Sequence, residues 1–232
     1  MNALITEGKD DGYFAAALIE DINKEGENCS FEQYTSLGGL DQRTLVNDLE
    51  GKLGEIRRGK IQRIGILIDQ DLFSKEERLS FFNEVIKKAF DKEHVLKDTD
   101  TLYGVEVEED TSVEIACHFM NVNGQGELET VLRAIKTKDS PHADCLNTWR
   151  DCLKAHGTSI TEKEFVKNWI RDYIRLDTCS SSKFRGNKGK YCSMNCLNNI
   201  LARKGDKAIF DLKATELTDL RAFLSLFKNK ED

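Results

Sequence analysis

Apolar positions follow two periods along the chain as far as residue 135, and only the helical period beyond it. Ala3 to Thr6 is a short, nearly unbroken apolar run and predicts a buried first strand. Gly12 to Ile22 then carries Phe14, Ala15, Leu18, Ile19 and Ile22 at helical spacing. Phe31 to Leu37 alternates apolar with polar residues, the pattern of a half-buried strand. Gly38-Gly39 breaks the chain, and Asp41 is placed to cap a helix reaching about Arg58. Arg63-Ile64-Gly65-Ile66-Leu67-Ile68 is the clearest strand, apolar almost throughout, as a central strand covered on both faces must be. A helix from about Lys75 to Phe90, a strand from Val113 to Met120 and a helix from Glu127 to Ile135 follow.

Alternating strands and helices predict an α/β fold over residues 1–138, with a parallel sheet and helices on both faces. Beyond Ala143 only helices are expected: about Ala143 to His156, Glu162 to Leu176, a segment around Tyr191 to Arg203, and Ala214 to Phe227. Residues 139–232 thus read as a helical extension packed on the sheet domain. No apolar run reaches about 18 residues, so no membrane-spanning helix is expected. The first residues lack the basic start and long apolar stretch of a signal peptide, which makes the cytoplasm the expected location. Seven cysteines at scattered positions form no paired framework and read as mostly buried thiols. Cys179, Cys192 and Cys196 lack the CxxC spacing or nearby histidine that would complete a zinc site.

The net charge of −7 weighs against coating nucleic acid by bulk attraction, but its distribution is uneven. Nine acids and two lysines lie between Asp91 and Glu114, whereas Lys183, Arg185, Lys188, Lys190, Arg203, Lys204 and Lys207 face only Asp206 between Thr178 and Ala208. One end of the molecule can repel a polyanion that the other holds.

Three predicted strands end in acids. The first runs into Glu7-Gly8-Lys9-Asp10-Asp11, the central one into Asp69-Gln70-Asp71, and the later one into Asn121 to Glu129, which contains Gly126-Glu127-Leu128-Glu129. Ligands of open α/β sheets bind beyond the carboxyl ends of the strands. Asp69 and Asp71, two apart in extended backbone, would point to the same side, and Glu7 and Asp11 can converge across a turn. Carboxylates so close together repel unless a cation sits among them, and hard oxygen donors suit Mg²⁺ or Mn²⁺. Each piece also has a plainer role. Asp10 or Asp11 can cap a helix, Asp-x-Asp can shape a turn, Glu127 and Glu129 can favour a helix N-terminus, and Asp211 can cap the last helix.

At these residues the sequence resembles the TOPRIM group, the metal-binding domain of topoisomerases, bacterial primases and overcoming-lysogenization-defect (OLD) nucleases. The group carries a glutamate, usually followed by glycine, after its first strand and an Asp-x-Asp after a later one, matched here by Glu7-Gly8 and Asp69-Gln70-Asp71. The OLD-like branch adds an acid four residues after the glutamate and a Gly-acid-Leu-Glu stretch, matched by Asp11 and Gly126-Glu127-Leu128-Glu129. The resemblance spans about residues 1–135. It implies a TOPRIM-like (Rossmann-like) sheet and a two-metal nuclease acting on DNA or RNA, in a defence or toxin setting. Asp69 and Asp71 would hold Mg²⁺ or Mn²⁺, Glu7 would bridge to a second ion or act as general base or acid, and Asp11, Glu127 and Glu129 would complete the second position. A lysine near the scissile phosphate is also implied. Lys190 or Lys188, in the stretch Lys183-Phe184-Arg185-Gly186-Asn187-Lys188-Gly189-Lys190-Tyr191, is the candidate, and Lys183 and Arg185 would bind nucleic acid with them. No Gly-x-x-x-x-Gly-Lys-Ser/Thr loop is present, so a separate ATPase partner or independent action is expected, homo-oligomers being compatible with either. The alternative is a non-catalytic module of the same fold that docks nucleic acid or such an ATPase; action on nucleotides or small phosphate esters is a third reading.

Overall fold

The computed structural model describes residues 1–93, 95–179 and 192–229. Strand β1 (Asn2–Thr6) leads into helix α1 (Lys9–Lys24), followed by β2 (Gln33–Ser36), α2 (Gln42–Arg57), β3 (Arg63–Asp69) and α3 (Lys75–Phe90). Then come β4 (Tyr103–Glu108), β5 (Thr111–Met120) and α4 (Leu128–Ala134). The sheet order is β2-β1-β3-β5-β4, with every pair parallel except the β4–β5 hairpin. The all-parallel expectation therefore fails at one edge. Strand β4 lies inside the acidic stretch, buries Val105 and exposes Glu106 and Glu108, so its charges hid the strand pattern. Acids on an outer strand also discourage pairing with another chain.

Alternation along β3 splits the interior into two cores. Ile64, Ile66 and Ile68 meet Leu45, Leu49, Phe82 and Ile86 of α2 and α3 on one face. Leu67 and Leu4 join Phe14, Leu18 and Ile22 of α1 on the other. That second core is completed by the C-terminal helices α5 (Pro141–Ala155), α6 (Glu162–Asp172), α7 (Leu197–Leu201) and α8 (Thr218–Ser225), through Phe165, Trp169, Leu197, Phe223 and Phe227. Helix α6 runs on through a π-helical turn, Tyr173–Asp177. Helices α7 and α8 are shorter than their apolar patterns suggest, each preceded by a 3₁₀ turn.

Contacts at Gly65 and Asn2 tie the C-terminal segment to the sheet. Gly65 has no room for a side chain: a Cβ there would lie 2.9 Å from Cζ of Phe227 and 3.2 Å from Cδ1 of Leu4. Asn2 Nδ2 donates to the Phe227 carbonyl at 3.0 Å. Within the C-terminal segment itself, the Tyr173 hydroxyl donates to the Ile209 carbonyl at 2.9 Å. Asp177 accepts the backbone N–H groups of His142 and Ala143, each at 2.9 Å, satisfying donors at the start of α5.

Cys179 and Cys192 form a disulfide, so the reading of all seven cysteines as unpaired thiols is corrected. Their Cα atoms are 6.0 Å apart, a separation that follows from how the segments before and after residues 180–191 pack, not from spacing in sequence. Cys29, Cys117 and Cys196 are buried free thiols, and Cys145 and Cys152 are exposed ones. Among the described residues no helix is long and apolar enough to cross a membrane.

Candidate functional site

Strand order reverses direction at β1: the chain steps to β2 on one side, then to β3 and β5 on the other. Such a switch point opens a crevice at the carboxyl ends of the two central strands. Glu7 leaves β1 and Asp69 ends β3 at this crevice, and the Asp69 N–H donates to Glu7 Oε2 at 3.4 Å. Asp69 Oδ1 accepts the N–H of Leu128 at 3.1 Å, which brings the N-terminus of α4 to the same point.

Asp71 reaches the site by a route that the sequence reading did not anticipate. It has a positive φ of 54°, so the backbone is not extended through Asp69-Gln70-Asp71 and the same-side rule does not apply. The turn is pinned by two backbone bonds, Asp71 N–H to the Gly126 carbonyl at 2.7 Å and Gly126 N–H to the Asp71 carbonyl at 3.0 Å. Gly126 itself has φ 117°, and a Cβ there would lie 2.8 Å from the Thr130 side chain, so glycine is required.

Asp11 caps α1, accepting the Gly8 N–H at 2.6 Å, yet it feels the charge of Glu7 and its own charge acts on Asp69. Glu127 is the N-cap residue of α4 and only 3% exposed; its Oε1 is buried without a hydrogen-bond partner. Glu129 sits in the first turn of α4, with Glu127 and Asp10 acting on it. The six acids singled out from sequence lie within reach of one another's charge, with Asp10 beside them.

Burial, with crowding second, raises the pKa of several of them. Burial, reinforced by the charges of Asp11, Glu7, Glu127 and Asp71, pushes Asp69 up to about 9. Burial pushes Asp11 up to about 7 against the Gly8 hydrogen bond, with Glu7 and Glu129 adding to it. Glu7, Glu129 and Asp10 are raised as well, in each case chiefly by burial.

Among the described residues three cations face these acids, and none of them was singled out from sequence. Arg78 of α3 is buried and donates to Asp71 Oδ2 at 2.7 Å and to the Gln70 carbonyl at 3.3 Å. Lys163 of α6 places its ammonium 2.8 Å from Asp71 Oδ1 and 3.0 Å from Glu127 Oε2, and Lys167 lies 3.2 Å from the same Glu127 oxygen. Burial opposes the charge of Lys163, but its bonds to Asp71 and Glu127 prevail and raise its pKa. Lysines four apart on the polar face of an amphipathic helix were the available signal, but nothing in that pattern says that α6 crosses the sheet edge.

Lys183, Arg185, Lys188 and Lys190 lie outside the described residues. His118 is buried against Asp100, Nδ1 to Oδ1 at 2.6 Å, away from the acids' hydrogen-bond network. Asp211 neither approaches the acids through a hydrogen bond nor caps the last helix: its Oδ1 accepts the Lys213 N–H, and Leu217 is the N-cap of α8.

Residues 1–225 match the family described as a protein of unknown function (DUF3226). The chain belongs to the DUF3226 family. No curated protein and no solved structure matches it. The DUF3226 match runs from β1 through the end of α8, so α6 with Lys163 lies in the same family unit as the acids it touches.

A divalent cation fits this DUF3226 site in its donor chemistry. Carboxylate oxygens are the ligands Mg²⁺ and Mn²⁺ prefer, and the unpartnered Glu127 Oε1 is a buried acceptor with nothing to accept from. Among the described residues, however, no group of three or more acid, histidine or cysteine side chains is placed to hold a metal ion. Lys163, standing between Asp71 and Glu127, supplies the positive charge instead.

Proposed function

We propose that this protein is a metal-dependent nuclease of the TOPRIM type, hydrolysing phosphodiester bonds of DNA or RNA at the acid-lined sheet edge. The observation that carries the reading is the convergence of Glu7, Asp69 and Asp71 from two central strand ends with Glu127 and its unpartnered oxygen. Asp69, Asp71 and Glu7 would hold Mg²⁺ or Mn²⁺, and Asp11, Glu127 and Glu129 a second ion. When bound, such ions lower the pKa of a water and neutralise charge on a departing oxygen. Lys163 and Lys167, each about half exposed, are placed to meet a phosphate at the same edge. The Asp69 N–H and Arg78 keep Glu7 and Asp71 oriented.

A second reading is favoured by the position of Lys163. If its ammonium permanently replaces the cation, the fold is a non-catalytic module that docks nucleic acid or a separate ATPase. One experiment separates the two. Purified protein is incubated with labelled single- and double-stranded DNA and total tRNA, with Mg²⁺, Mn²⁺ or EDTA, beside an Asp69→Ala/Asp71→Ala control. Metal-dependent cleavage lost in the double variant is the expected result. Absence of cleavage together with absence of Mn²⁺ binding by calorimetry would replace the nuclease with the docking module.

A further inference from the structure

The turn that delivers Asp71 also presents two apolar side chains to solvent. Leu72 is 84% exposed and Phe73 50% exposed, among the most exposed large hydrophobic residues of those described, and they are consecutive. Single exposed apolar residues are ordinary on protein surfaces; an adjacent pair directly following a site carboxylate is less so. Gln70 and Arg78 hold the turn in place. The Phe73 N–H donates to the Gln70 carbonyl at 3.3 Å, and Gln70 Nε2 donates to the Phe73 carbonyl at 2.5 Å. The guanidinium of Arg78, itself bonded to Asp71, lies over the Phe73 ring at 4.4 Å from its centroid. Phe73 is therefore a positioned ring, with one face against a cation and the rest open.

We propose that Leu72 and Phe73 form a wedge that stacks on an unpaired base and makes single-stranded or frayed nucleic acid the substrate class of this site. The inference rests on the nuclease reading. Its chemistry is that of single-strand binders, in which aromatic rings take bases and nearby cations take the backbone. Here Phe73 and Leu72 offer the apolar surface, and Lys163 and Lys167 offer half-exposed ammonium groups beside the same acids. A base stacked on Phe73 would extend the Arg78–Phe73 pair into a three-layer stack. A blunt duplex keeps its bases stacked on one another and leaves the wedge without a partner.

The test compares wild type, Leu72→Ser/Phe73→Ala and Phe73→Tyr on an aminopurine-labelled single strand and on the same sequence as a blunt duplex, scoring binding and, with Mn²⁺, cleavage. Stacking predicts that the double variant loses about tenfold or more in single-strand affinity and loses the aminopurine quench, while duplex binding changes less than about twofold. Phe73→Tyr keeps the ring and stays close to wild type. Equal losses on both substrates, no loss on the single strand, or a wild-type preference for the blunt duplex would overturn the wedge. So would Leu72- and Phe73-dependent binding to phosphatidylserine vesicles without a nucleic-acid effect. Cleavage that is metal-dependent but indifferent to both substitutions sinks the wedge and leaves the nuclease standing. Phe73-dependent quenching without any cleavage and without Mn²⁺ binding does the reverse.

Discussion

The ammonium of Lys163 lies 2.8 Å from an oxygen of Asp71, although 92 residues separate them in the chain. This contact makes the C-terminal helices part of the site rather than a cover behind it. Helix α6 carries Lys163 and Lys167 toward acids contributed by β3, the turn after it and α4, and Phe165 and Trp169 on its other side anchor it in the core.

Removing that ammonium separates its two effects. Lys163→Met should cut metal-dependent cleavage by about a hundredfold or more, because a positioned charge at the phosphate is lost. The same change should tighten Mn²⁺ binding several-fold, since Asp71 and Glu127 lose their competing cation. Calorimetric titration beside a cleavage assay reads both; weaker Mn²⁺ binding in Lys163→Met would show that the lysine supports the ion rather than competing with it.

Asp69 is expensive to keep ionised where it stands. In EDTA, Asp69→Asn should raise Tm by ~5 °C or more at neutral pH, because the neutral amide avoids the cost of burial among acids yet still offers an oxygen to the Leu128 N–H. Cleavage should fall to background in the same variant. A lower Tm by scanning fluorimetry would mean that the acids are relieved by something other than protonation.

The pH dependence has a definite sign. Asp69 and Asp11, raised to about 9 and about 7 from an ordinary 3.8, hold more protons folded than unfolded between those limits. Metal-free stability contributed by these groups is therefore greatest at acidic pH and falls as pH rises through about 4 to 9. Added Mg²⁺ should lift Tm clearly at pH 8 and little at pH 5, where both groups keep their protons. A melting series in EDTA and in Mg²⁺ across that range checks this; a Tm that rises with pH in EDTA would contradict the crowding.

Gly65 tests the seat of the C-terminal segment. Gly65→Ala forces a methyl into the Phe227 ring and Leu4 and should cost about 1–3 kcal/mol, seen as a lower midpoint in urea unfolding. Adding Phe227→Leu to it should recover part of the loss. If Gly65→Ala is neutral, the ring has room to move and the junction is looser than its contacts indicate.

Much of the frame was legible in the sequence. The nearly continuous apolar run from Ile64 to Ile68, the helical spacing from Phe14 to Ile22, and Asp41 as a cap reflect interactions between residues near in sequence, so pattern alone places them. Acids at three strand ends were visible for the same reason, because strand limits are local. What lay beyond local pattern was decided by packing. Strand β4 was hidden because an edge strand needs only one buried face, which left Val105 as its sole buried residue among acids. The positive φ of Asp71 comes from its pairing with Gly126, 55 residues later, and Cys179 meets Cys192 only because their flanking segments dock in one core. The sequence by itself determined which carboxylates end the strands. Only the tertiary structure decided that strand order reverses beside them and that α6 brings Lys163 across to face them, because both depend on which apolar faces find each other and not on any spacing along the chain.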